Sequence, residues 1–220
     1  MPKAIVVEDK DLNHAVSVAR VSSPENGTRD AAILLCCFGT GLKPTEIAQL
    51  KVCDYLHPSG TPLEDSFLHA GIAFNGRKRA LHWVNKKLVS AIDDHLQSRL
   101  EKGHGVTAYP NVYRGLDAQS GLFVSGRTGE PLKLSRQVKN GKVYYSAEQV
   151  SALITRLFRQ AGIDGASAQS GRRTLAVKLK RQGIDERHIG EILGMVSLKA
   201  IKAICETDPV KLGDLIKKMV

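Results

Sequence analysis

The run Ala31-Ala32-Ile33-Leu34-Leu35-Cys36-Cys37-Phe38 limits this chain more than any other feature. Eight consecutive apolar residues offer no polar face, so whatever they form must be covered on every side. Thr28-Arg29-Asp30 lead in and Gly39-Thr40-Gly41 stop the run, which reads as a central core helix. The run is far short of the roughly 20 residues that cross a bilayer, so no membrane partner is expected. Ala4-Ile5-Val6-Val7 is too short for a secretory signal. The chain of 220 residues is long enough for an ordinary core, and a single domain over 1–220 is expected. Cys36, Cys37, Cys53 and Cys205 show no metal-ligand spacing. They read as reduced thiols in a cytoplasmic protein.

The remaining segments flank that helix. Leu12, Ala15, Val16 and Ala19 recur at helical spacing over 9–20, and Pro44-Thr45-Glu46-Ile47 opens a short helix with Pro in its first turn. Residues 51–56 and 67–85 read as extended, with a hairpin turn at Asn75-Gly76. Residues 86–101 carry Leu88, Ile92, Leu96 and Leu100 on one stripe. A Gly/Pro loop over 103–120, a short strand Leu122-Phe123-Val124 and a mobile basic loop over 129–142 follow. Helices are expected at about 146–161, 170–182, 185–193, 197–206 and 209–219. Helices, then a small sheet, then helices make an α+β, mainly helical domain.

Lys plus Arg number 32 and Asp plus Glu 22, a net charge of +10. Residues 151–220 hold 13 basic and 7 acidic side chains, most of the excess. Such a balance favours a nucleic-acid partner. Aromatics make up only 5%, too few for a single-strand stacking platform, so duplex phosphate is the better match.

Familiar catalytic and cofactor signatures fail. Gly103-His104-Gly105-Val106-Thr107-Ala108 fits GxGxxA, but it follows a helix rather than a strand. There is no Walker loop, HExxH or GxSxG, and the histidines form no ligand-spaced pair. No cofactor and no metal are expected.

Two segments are specific together. One runs from Arg29 through Gly39-Thr40-Gly41-Leu42-Lys43-Pro44-Thr45-Glu46 to Leu50. The other is Gln169-Ser170-Gly171-Arg172-Arg173-Thr174, followed by Gln182-Gly183-Ile184-Asp185 and Ile192-Leu193-Gly194-Met195. In this order they resemble the catalytic domain of tyrosine recombinases, the phage-type integrases, from about residue 3 to the end of the chain. That family has a TGLR-x-x-E segment, an H-x-x-R-[RH]-T segment and a helix ending in L-L-G-H. Two arginines hold the scissile phosphate, a histidine and a lysine assist with protons, and a tyrosine attacks the phosphorus.

The resemblance implies a degenerate site. The first arginine position is Lys43, which keeps charge but loses the planar fork. The histidine of H-x-x-R is Gln169, and the second arginine is retained as Arg172. The histidine of L-L-G-H is Met195, and the tyrosine position falls on Ile204. Tyr55, Tyr109, Tyr113, Tyr144 and Tyr145 all lie far upstream. The hairpin lysine falls among Arg77, Lys78 and Arg79, or on Phe74. Only 28 residues precede Arg29, so no N-terminal core-binding domain is expected.

Three functions follow. The first is a catalytically inactive DNA-binding protein, accessory or regulatory in recombination or mobile-element biology. Its phosphate contacts would come from Lys43, Arg77, Lys78, Arg79, Lys133, Arg136, Arg172 and Arg173. The second is an interaction module that docks on an active recombinase, or on itself, through the helix over 209–219. The third is a strand transferase in which Cys205 replaces the tyrosine.

Overall fold

The computed structural model describes residues 4–206. The helix expected over 209–219 lies outside the described residues. Among them the order is α1 (Asp9–Ser22), α2 (Gly27–Thr40), α3 (Pro44–Ile47), β1 (Asp65–Leu68), β2 (Arg79–His82), α4 (Lys86–Glu101), β3 (Ser135–Lys139), β4 (Lys142–Ser146), α5 (Glu148–Gln160), α6 (Ala168–Arg181), α7 (Glu186–Leu193) and α8 (Leu198–Cys205). The architecture is α+β, mainly helical, with two small antiparallel sheets, as the sequence predicts.

Helix α2 is the hub. Every residue from Asp30 to Phe38 is buried, because α1, α4, α5 and α6 all pack around it. Helix α6 meets α2 at backbone distance. A methyl group on Gly171 would sit 2.5 Å from the Cys37 Sγ and 2.7 Å from its carbonyl oxygen. That close approach decides where Arg172, the next residue, is held. A smaller core of Ala176, Ile189, Leu193, Ile201 and Cys205 joins α6, α7 and α8.

Several local expectations need correction. Residues 51–56 do not form a strand: Val52–Asp54 is a 3-10 turn, closed when the Asp54 carboxylate accepts the Lys51 N–H at 2.8 Å. Leu122-Phe123-Val124 forms no strand, and only an isolated bridge links Val124 to Pro131. Asn75-Gly76 is not a two-residue hairpin. The strands β1 and β2 pair from Asp65↔His82 to Leu68↔Arg79, so residues 69–78 form a wide loop. The segment expected to be a loop over 129–142 instead holds β3 and leads into β4, paired Arg136↔Tyr145 and Val138↔Val143. Their turn is Asn140-Gly141, both with positive φ, 51° and 71°, the conformation of a tight type I′ hairpin.

Two buried bases on α4 fix the long loop after it. Arg99 donates to the carbonyls of Gly121 at 2.8 Å and His104 at 3.3 Å and to Ser120 Oγ at 3.0 Å. Burial lowers its pKa to about 10, still a cation at neutral pH. His95 stacks on Phe123 with ring centroids 5.7 Å apart. Its Nε2 is buried without a hydrogen-bond partner. Burial first, then Arg99, push its pKa from 6.5 to about 3.

The unfolded chain therefore takes up this proton before the folded one. The stability tied to His95 is complete above about pH 6.5 and falls as pH drops toward 3, by about 1.4 kcal/mol per unit. Urea melts at pH 7 and pH 5 should show a loss of about 2 kcal/mol in wild type. A His95→Leu variant should lose distinctly less over the same interval. Equal losses in both would assign the acid sensitivity elsewhere.

Candidate functional site

The site begins where α2 stops. Gly41 takes the left-handed conformation, φ +64°, which ends the helix and turns the chain toward α3. Lys43 precedes Pro44 and is held from below by Glu46, three residues on. The fully buried Glu46 carboxylate accepts three N–H groups. Its Oε2 takes Lys43 N at 2.8 Å and Arg79 Nη2 at 3.3 Å, and its Oε1 takes Phe74 N at 3.1 Å. One carboxylate thus fixes the start of α3, the first residue of β2 and the wide loop between β1 and β2.

Arg172 enters from α6. Its Nη1 donates to Gly41 O and its Nη2 to Leu193 O, each at 2.7 Å. The guanidinium therefore ties the ends of α2 and α7 together, and only 6% of the residue is exposed. Burial lowers its pKa to about 10, against the pull of Glu46, so it stays charged at neutral pH. Lys43 Nζ lies 3.5 Å and the Arg172 guanidinium carbon 5.0 Å from the centroid of the Phe74 ring. Two cations share one aromatic ring, an arrangement that offsets part of their mutual repulsion. Burial first, then Arg172, lower the Lys43 pKa.

Lys43, Gln169, Arg172 and Ile204 line one cleft of about 770 Å³. The four positions come from the ends of α2, α6 and α8, yet the fold brings them together. Ser151 and Thr155 on α5 and Ser167 before α6 also line it. The sequence reading missed these three. Hydroxyls on an amphipathic helix look like any solvated face, and only the packing of α5 beside α3 brings Ser151 and Thr155 to the edge of the cleft. Among the described residues, the lining holds no histidine, cysteine or tyrosine. The cleft presents two cations, an amide and hydroxyls, with the aliphatic Ile204 beside them. Two cations in one cleft suit an anionic ligand.

The other expected residues separate from the cleft. Met195 lines a neighbouring groove with Asn75, Arg77 and Lys78, and Asn75 Nδ2 donates to Gly194 O at 2.7 Å. Arg77 and Lys78 are exposed there, and Lys78 Nζ lies 3.9 Å from the Phe67 ring centroid. Lys133 and Arg136 lie at the start of the β3–β4 hairpin, both at least partly exposed. Two of the expected phosphate contacts turn inward instead. Arg79 is buried and donates to Ile192 O at 2.7 Å as well as to Glu46. Arg173 is buried and donates to Ala4 O and Glu206 O. Each is tied to backbone carbonyls, as Arg172 is, and Arg79 also lines the groove of Asn75, Arg77 and Lys78. Cys205 packs in the core of α6, α7 and α8 rather than in the cleft. Burial first, then Glu186, raise its pKa, the reverse of what a thiolate nucleophile needs.

No family model matches the chain. The tyrosine recombinase XerA of Pyrococcus horikoshii is 25% identical over 201 residues, which cover 91% of this chain and 58% of the relative. The chain thus spans less than two thirds of that relative's length. The crystal structure of XerA recombinase superimposes with a TM-score of 0.62 at 21% identity, over 100% of this chain and 64% of that one. XerH site-specific recombinase, in a post-cleavage complex with its palindromic difH substrate, gives 0.63 at 17%, over 98% and 53%.

Proposed function

We propose that this chain, a homologue of the tyrosine recombinases with the fold of their catalytic domain, grips the backbone of duplex DNA without cutting it. The observation that carries the reading is the pairing of Lys43 and Arg172 in the cleft with Ile204 beside them. Arg172 gives two of its N–H groups to carbonyls, and among the described residues its other donors make no further hydrogen bond and could meet a phosphate alongside Lys43 Nζ. Among the described residues, Glu46 is the carboxylate that acts on all three cations Lys43, Arg79 and Arg172, which leaves positive charge for a ligand. Cleavage needs an attacking oxygen or sulfur and a proton acceptor, and Ile204 supplies neither. Lys43, Arg77, Lys78, Lys133, Arg136 and Arg172 are the phosphate contacts in this reading, and its biological setting is accessory or regulatory DNA binding in recombination.

Nicked duplex that traps a covalent intermediate is the direct test. The protein should shift the duplex on a native gel and leave no protein-linked strand after denaturation. A denaturation-resistant adduct would show that the chain cuts DNA and overturn the non-cleaving assignment. Its survival in Cys205→Ser would further exclude that thiol as the attacking group.

A further inference from the structure

Among the described residues, the β3–β4 hairpin carries exposed side chains on both faces. Side chains alternate along a strand, and the register pairs Arg136 with Tyr145 and Val138 with Val143 on one face. Tyr144 is on the other. Tyr145 is 61% and Val138 59% exposed, and Tyr144 and Val143 are exposed as well. An isolated two-stranded ribbon is marginal in water, and bare apolar side chains on both faces add to that cost. Its base is held by Glu148, whose Oε1 accepts Gln137 Nε2 at 2.7 Å and Ser146 Oγ at 3.2 Å. The ribbon's composition is one-sided in charge. Residues 131–147 contain Lys133, Arg136, Lys139 and Lys142 and no acidic residue.

Position adds to composition. Strand β4 packs beside α3, and α3 begins with the Lys43-Pro44 step that lines the cleft. Helix α5 starts two residues after β4 and contributes Ser151 and Thr155 to the same cleft. The ribbon therefore rises from the rim of the phosphate-binding cleft.

We infer that the β3–β4 ribbon enters the major groove of the duplex whose backbone lies on the cleft. The inference rests on the DNA-binding reading above and deepens it, giving Arg136 and its neighbours on the ribbon a groove to enter. The major groove admits a two-stranded ribbon. Arg136 is placed to reach a phosphate or a guanine edge, and Tyr145 and the valines give apolar contact with sugars and thymine methyls. Four cations in the ribbon's sequence, with Glu130 and Glu148 only at its two ends, match a polyanion and oppose a basic protein surface.

The test compares wild type with Arg136→Ala/Tyr145→Ala and with a chain in which residues 136–145 are replaced by Gly-Gly. The cross-strand neighbours Ser135 and Ser146 keep the base of such a chain closed. Neither substituted side chain is part of the core, so the double variant should melt as wild type does. Binding to a fixed duplex should weaken about tenfold or more. Dimethylsulfate should modify guanine N7 positions that wild type protects. A double variant and a Gly-Gly chain that bind and protect as wild type does would overturn the ribbon inference and leave the cleft reading standing. If that result comes with loss of self-association in sedimentation, the ribbon is a protein contact instead. A wild type that binds no duplex even at low salt would overturn the cleft reading and the ribbon together.

Discussion

Replacing Glu46 by glutamine should lower the thermal midpoint by about 10 °C, although the side chain keeps its shape. The carboxylate is fully buried and accepts from Lys43 N, Phe74 N and Arg79 Nη2. An amide offers one acceptor oxygen and sets an NH2 group against one of those donors. It also removes the negative charge beneath Arg79 and Arg172, both of which are buried cations. Removing one partner of a buried ion pair costs about 3–5 kcal/mol, since the other is left uncompensated. In a chain of this length each kcal/mol moves the midpoint by about 2–4 °C.

The ion pair itself can be separated from simple damage. Arg79→Met should be costly alone, because Glu46 then loses its counter-ion and Ile192 O its donor. Glu46→Leu combined with Arg79→Met should cost less than the two single changes added together, by about 1–3 kcal/mol. Strict additivity would mean that the two groups do not feel each other. A melt of Glu46→Gln within about 2 °C of wild type would remove the carboxylate from its place as the site's organising group.

How far such a network can be read beforehand differs from residue to residue. The apolar run at 31–38 and the stripe on 86–101 are local signals, and the structure places α2 and α4 over them. Glu46 also sits in a local pattern, three residues after Lys43, where a carboxylate can reach back to the N–H that opens the helix. What it does for Arg79 and Phe74 is long-range and leaves no local mark. The dipeptide Asn-Gly shows the limit of a short motif. At 140–141 it joins two strands directly; at 75–76 it is one bend in a loop, because the turn at His69-Ala73 intervenes before the strands can pair. The flanks distinguish the two, since Val138 and Val143 alternate outward from one turn while Phe74 and Arg77 do not pair.

The basic residues make the same point. Arg79 is legible as an inward residue, because Leu81 is buried and strand side chains repeat every second position. Arg172 and Arg173 carry no such signal. They are adjacent on α6, and both are buried only because α6 packs on α2 along one edge and meets Ala4 and Glu206 along another. Charge alone cannot say which cation of a cluster faces water. The convergence of Lys43, Gln169, Arg172 and Ile204 in one cleft follows from the motif order only once the close approach of Gly171 to Cys37 is in place.

Lys43 is therefore the residue on which the DNA reading turns. Lys43→Glu should weaken binding to duplex by about 10–100-fold near 0.1 M salt, and Lys43→Gln by less. The plot of log affinity against log salt should flatten by about 0.9 for each phosphate that the variant no longer neutralises. Lys43 is the cleaner choice than Arg172, whose removal would also unfasten Gly41 O and Leu193 O. Among the described residues its ammonium group makes no hydrogen bond, and the substitution takes away its place over the Phe74 ring. The pH dependence adds a second signature. Burial and Arg172 lower the Lys43 pKa, so it loses its proton at lower pH than an ordinary exposed lysine does. The difference in affinity between wild type and Lys43→Gln should then narrow as the solution becomes alkaline. A difference that stays constant would place Lys43 away from the phosphate. Unchanged affinity and slope in Lys43→Glu would mean that the cleft holds no phosphate, and would shift any DNA binding to Arg77, Lys78 and the ribbon.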